Sequence, residues 1–227
     1  MTLVNESSLS ATLDAVNEVL FWGRAVAQAD REQSIAWIVG RQGQPGGYLH
    51  SLPAPCQADL GGNARVFTGE RLSSWAGTAH VLGEEACRAL LLLDGPTASA
   101  QAALQRASAP MVAKLGQVVR PGEYCCGTCS VSVWRHMAAG GLDGADQQCW
   151  LEGGLRTLVA HRTGDGRWRR YPFYYTVLAL TEIGLRGARE ELRYAAPALE
   201  RGARRDPGQE VYAVRRRALA ERALAQL

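Results

Sequence analysis

The sequence predicts an all-α fold made of repeated helix pairs. Two features of composition and pattern lead there. Of the 227 residues 47% are apolar, yet only three are Phe, and Ala and Leu dominate; those two residues are the best helix formers. Apolar positions also recur at helical spacing between turns rich in Gly and Pro. A third feature, an internal repeat, emerges once the elements are set in order.

Residues 8–26 place Leu9, Leu13, Val16, Val19 and Leu20 at helical spacing, with Ser8 or Ser10 as the cap. Asp30 is the expected cap of a second helix, 31–41, carrying Ile35, Ile38 and Val39 and closed by the turn Gly43-Gln44-Pro45-Gly46-Gly47-Tyr48. Residues 49–64, rich in Pro and Gly, read as an irregular loop. A segment opened by Thr68 or Gly69 covers 70–82, is expected to break at Gly83, and resumes over 84–93, apolar nearly all round and therefore buried. Residues 99–118 form a surface helix that Pro110 should kink or divide. After the turn Arg120-Pro121-Gly122-Glu123-Tyr124 come helices at 126–139, 146–161 and 174–183, the last apolar on most faces. Residues 189–201, interrupted near Pro197, and 211–227 complete the set, parted by the breaker Asp206-Pro207-Gly208.

Ile35 to Tyr48 superposes without a gap on Leu155 to Trp168, 120 positions on: Ile38 meets Leu158, Val39 meets Val159, Gly46 meets Gly166 and Tyr48 meets Trp168. The turn at Pro121-Gly122-Glu123-Tyr124 has the same form. An amphipathic helix, a turn ending Gly-x-aromatic and an apolar helix thus recur three times, which implies a solenoid or a closed ring of helix pairs. Nothing in the length forces a division, so the expectation is a single domain over 1–227.

Lys114 is the only lysine, and the net charge is a modest +3, so no dedicated nucleic-acid binder is expected. Arg201, Arg204 and Arg205, with Arg215, Arg216 and Arg217, are either solvated helix faces or a place to meet phosphates and diphosphates. With no signal-peptide pattern and no apolar run long enough for a bilayer, the expected location is cytoplasmic and the six cysteines are expected as thiols.

Gly164-Asp165-Gly166-Arg167-Trp168 followed by Tyr174-Tyr175-Thr176-Val177-Leu178-Ala179-Leu180 resembles the repeats of prenyltransferases and squalene or terpene cyclases. The stretch from His161 to Trp168 looks like their Gln-Trp turn, with His161 in the place of glutamine. The resemblance runs loosely over 31–185 and closely over 145–185. It implies an α/α toroid, or, in a chain this short, an open arc of repeated helix pairs whose free edge two copies can share as a homodimer. It also implies an apolar cavity lined by helix ends. The Asp-x-Asp-Asp acid of the class II cyclases is missing, Asp143-Gly144-Ala145-Asp146 being the nearest run. Against the zinc site of protein prenyltransferases, Cys129 matches the cysteine, but Tyr175 stands in the place of histidine and Gly127 near that of aspartate.

Two stretches concentrate polar chemistry. In Glu123-Tyr124-Cys125-Cys126-Gly127-Thr128-Cys129 the cysteines sit at a helix start, where the helix dipole favours thiolate. The pair Cys126 and Cys129 reads as a redox site, as half of a zinc site with His136 or His161, or as small residues packed against a neighbour. Glu70 and Arg71, with His80, read either as cap and clamp or as an acid or base with a second titrating group. Trp168, Tyr171, Tyr174 and Tyr175 read as an aromatic wall or as ordinary core.

The expected function is a toroid-type enzyme acting on an apolar, isoprenoid-like small molecule. Glu70, Arg71 and His80 carry the catalysis, and Tyr124, Cys129, Trp168, Tyr171, Tyr174 and Tyr175 line the cavity; neither a metal nor a cofactor is assigned. The alternative is a noncatalytic helical module that binds a lipid-like ligand or a partner protein. A thiol-based metal or redox protein is the third reading.

Overall fold

The computed structural model describes residues 2–93, 97–142 and 145–227. Every regular element among them is helical, apart from two isolated bridges, Arg65 with Arg71 and Arg162 with Trp168. No helix among the described residues is long and apolar enough to cross a membrane. The nearest echo of the cyclase acid falls at Asp143 and Gly144, outside the described residues. The chain forms two compact units, Met1–Phe67 with Arg71–Gln117 and Ala139–Ala145, and Thr68–Glu70 with Val118–Ala138 and Asp146–Leu227.

The first unit holds α1 (Leu9–Trp22), α2 (Gln28–Gly40), α3 (Trp75–Leu92) and α4 (Ala98–Leu115). They form two layers, α1 packing on α3 and α2 on α4, with α3 also touching α2 and α4. Leu9, Val16, Ile38, Leu52, Leu90 and Met111 are wholly buried. Ser8 caps α1 as expected, its hydroxyl accepting from the Ala11 N–H at 2.9 Å. The helix ends at Trp22, short of residue 26, because Gly23 adopts a left-handed φ of 62° and turns the chain back onto its last carbonyls. Asp30 is not the cap of α2: it lies inside the first turn, and Ala27 precedes the helix without a side-chain bond.

Two further departures concern breakers. The helix expected from residue 70 begins only at Trp75, so Glu70 and Arg71 lie in the preceding loop, and α3 runs unbroken through Gly83. A Cβ there would stand 2.7 Å from Cβ of Leu52, so this glycine serves a close approach and ends nothing. Pro110 and Pro197 likewise sit inside continuous helices.

The second unit holds α5 (Gly127–Ala138), α6 (Gln147–Ala160), α7 (Phe173–Glu182), α8 (Arg186–Ala203) and α9 (Val211–Leu224). Buried α7 touches α5, α8 and α9, while α6 packs on α5 and α8.

The three Gly-x-aromatic turns share one backbone shape, with φ of 93° at Gly46, 91° at Gly122 and 86° at Gly166. The middle turn is clasped on two sides. A Cβ on Gly122 would fall 1.9 Å from the Gly154 nitrogen of α6, and its carbonyl accepts from Trp134 Nε1 at 2.9 Å.

Candidate functional site

Glu70 acts on a helix 105 positions away. One carboxylate oxygen accepts from the Tyr175 backbone N–H at 3.1 Å, in the first turn of α7, and the other accepts from the Thr68 hydroxyl. The first oxygen thus does the work of an N-cap, where a negative charge also meets the positive end of the helix dipole, and the Thr68 hydroxyl holds the second. Arg71 is exposed, and its backbone pairs with Arg65. His80 is 1% exposed on α3. Its Nε2 lies 3.3 Å from the Glu84 carboxylate one turn on, and its ring is 4.5 Å from that of Tyr48.

The aromatic residues of the second unit turn to different neighbours and do not make one wall. Trp168 stacks on Phe173 at 5.9 Å and donates from Nε1 to buried Glu191 at 2.7 Å. Tyr171 stacks on Trp134 at 5.7 Å, and burial raises its phenol to about 12. Tyr175 is fully buried beneath the Arg135 guanidinium at 5.5 Å, and that guanidinium is clamped by Glu182 through bonds of 2.9 and 3.0 Å. Tyr124 is buried, its N–H donating to Ser130 Oγ at 2.8 Å. Tyr174 lines a cleft.

Just before and within the first turn of α5 three thiols gather. Cys125 and Cys126 are exposed and Cys129 is buried; the sulfurs of Cys125 and Cys129 lie within 4.8 Å of each other. Cys126 Sγ accepts from the Cys129 backbone N–H at 3.5 Å. Hydrogen bonds from the neighbouring thiols, then from backbone N–H groups, push the Cys126 thiol well below its ordinary range. The bond that Cys125 gives to Cys126 holds the Cys125 thiol above that range, and the bonds that Cys129 gives to Cys125 and to Cys126 do the same for Cys129.

The second unit carries a cleft of about 370 Å³ between the end of α8, the start of α9 and the third Gly-x-aromatic turn. Arg167, Arg201, Arg205, Arg216 and Arg217 line it, with Tyr174 and a single carboxylate, Asp206. Two of these arginines are held by backbone carbonyls, and a third lies over a ring while also facing the exposed Asp165 carboxylate. Arg216 Nε donates to the Thr68 carbonyl at 2.7 Å and its guanidinium lies 5.2 Å from the Tyr174 ring. Arg201 donates to the Asp165 carbonyl at 3.2 Å, and Arg167 lies over the Phe173 ring at 4.6 Å. Among the described residues, Arg217 alone of the five pairs with a carboxylate, Glu221 at 2.9 Å. Gly202 leaves the wall thin: a Cβ there would stand 3.1 Å from the Tyr174 hydroxyl.

The sequence marked Arg201, Arg205, Arg216 and Arg217 as a place to meet phosphates, but not Arg167 or the turn that brings it to them. Asp59 was lost in the irregular loop, although it is 1% exposed and accepts from Leu9 N, Ser10 N, Cys56 N and the Ser8 hydroxyl. Its spacing to α1 carries no local signal. No family model, curated protein or solved structure matches this chain.

Proposed function

We propose that the second unit binds a small molecule with a diphosphate head, seated among the arginines at the junction of α8 and α9. The observation that carries this reading is the anchoring of Arg201 and Arg216 by backbone carbonyls, which leaves their charge available to a ligand, with Arg167 set over the Phe173 ring beside them. Planar guanidinium groups suit the paired oxygens of a diphosphate better than lysine does. Ala198, Ala213 and Pro207 supply apolar surface beside the charged wall. Isoprenoid diphosphates combine such a head with an apolar tail, and the resemblance of the Gly164–Leu180 region to prenyltransferase repeats supports that class. The capping bonds of Glu70 favour binding over acid–base chemistry at that residue.

Isothermal titration with inorganic pyrophosphate and then with geranyl diphosphate, at low ionic strength, tests this. The expected result is one site per chain, tighter for geranyl diphosphate. In the variant Arg201→Ala/Arg205→Ala, which changes exposed side chains only, affinity should fall by about 100-fold, at roughly 1.5 kcal/mol for each charge-assisted bond lost. Pyrophosphate binding unchanged in that variant, or no binding to the original chain, overturns the assignment.

A further inference from the structure

We propose that Cys126 and Cys129 form a thiol–disulfide exchange pair, Cys126 attacking from the surface and Cys129 resolving from within. The assignment stands on placement. Cys126 is exposed and immediately precedes Gly127, the first residue of α5, whereas Cys129 lies one turn further on and is 1% exposed. Residues three apart at a helix start share a face, and the Cys129 N–H points at Cys126 Sγ from 3.5 Å. An incoming disulfide can therefore reach only the first sulfur of the pair, and the second is positioned to attack whatever forms there.

The start of α5 is also fixed in place. A Cβ on Gly127 would fall 2.1 Å from the Arg170 carbonyl, so the chain from 170 to 171 lies directly on this turn and only glycine admits it. Such fixing holds two thiols in register for exchange. Cys125 lies against both sulfurs. A bond between adjacent Cys125 and Cys126 closes a strained small ring, and against a Cys125–Cys129 bridge the Cys129 N–H facing Cys126 Sγ favours Cys126–Cys129.

The exchange balances with a small dialkyl disulfide as oxidant. The Cys126 thiolate attacks one sulfur of that disulfide, whose S–S bond breaks and expels the first thiolate. Cys129 then gives its proton to the expelled thiolate and attacks Cys126 Sγ. The mixed disulfide breaks, and the second small thiolate leaves and is protonated from solvent. Two protein thiols are oxidised to one disulfide as one small disulfide is reduced to two thiols.

The test incubates the reduced chain with mixtures of oxidised and reduced glutathione, quenches with acid, alkylates, and maps the products by mass spectrometry. Circular dichroism checks the fold of each variant. The expected product is a single internal bridge between Cys126 and Cys129, unchanged in Cys125→Ser. Cys129→Ala should stall as a glutathione adduct on Cys126, and Cys126→Ser should oxidise at least about tenfold more slowly. If Cys129→Ala does not fold, the contrast between Cys125→Ser and Cys126→Ser decides alone. Oxidation of Cys126→Ser at the original rate overturns the proposal, as does a bridge mapping to Cys125 and Cys129. So does a stoichiometric metal in the purified chain whose removal is needed before any thiol reacts.

Discussion

Replacing Asp59 by Ala removes one buried carboxylate and strands four donors at once. The Leu9 and Cys56 N–H groups, at 2.9 and 2.7 Å, make bonds that are fully buried; those of Ser10 N–H and the Ser8 hydroxyl, at 3.1 and 2.6 Å, are partly open to water. Water can take over the second pair at little cost. Each of the first pair loses its only acceptor in a dry site, at about 1–3 kcal/mol apiece, so the change should cost about 4 kcal/mol. Against a typical total of roughly 5–15 kcal/mol, that is enough to move the unfolding of the first unit well below that of the original chain. Asp59→Asn keeps one acceptor oxygen and should cost about half as much. Urea unfolding followed by circular dichroism gives the free energies, and amide hydrogen exchange at Leu9 and Cys56 identifies the bonds. A loss below about 1 kcal/mol, with both amides still protected, would refute the claim that this carboxylate holds the start of α1.

Two other perturbations test the second unit. Gly122→Ala puts a Cβ 1.9 Å from the Gly154 nitrogen at a φ of 91°, whereas Gly164→Ala meets nothing within 4 Å at a φ of 89°. The control isolates the left-handed backbone at about 1–2 kcal/mol, and the clash should take Gly122→Ala beyond about 3 kcal/mol by thermal melting; equal losses would mean that the turn does not touch α6. Tyr171 is an acid whose pKa rises from 10.0 to about 12 on folding, so the unfolded chain gives up that proton first. The stability it contributes is complete below pH 10.0 and is lost as the pH climbs toward about 12. Tyr171→Phe should remove that part of the alkaline decline in melting temperature, and an unaltered decline would place the loss elsewhere.

Local patterns in the sequence were good guides where the cause was local. Helical spacing disclosed the helices, and the Gly-x-aromatic turns disclosed the left-handed glycines at Gly46, Gly122 and Gly166. The misreadings came from contacts distant in sequence. Gly83 looked like a breaker because its partner, Leu52, is in a loop 31 residues earlier (83 − 52), and only packing turns a helix-weakening residue into a necessary one. Pro110 and Pro197 stay within helices because packing of α4 and α8 outweighs a propensity cost of about 3 kcal/mol. Asp59 holds the start of a helix 50 positions away, so the loop composition around it held no clue, and for Glu70 the cap reading was open but its helix, 105 positions on, was not legible. At the cysteines the motif itself was visible, but not the contrast between an outer and an inner sulfur, which depends on how α5 meets the segment at 170.

The arginine cleft has a thermodynamic consequence that follows from its makeup. Guanidinium groups keep their protons at any working pH, and two of these five are held by backbone carbonyls. If the cleft binds anions as proposed, it works as a miniature anion exchanger whose field chloride or buffer anions balance. Any ligand must displace those counterions, so its apparent affinity falls as the salt concentration rises, and part of the driving force is the entropy of the ions set free. Inorganic phosphate is itself a competitor in such an exchange. A search for the natural ligand run in phosphate buffer would start with the exchanger already loaded.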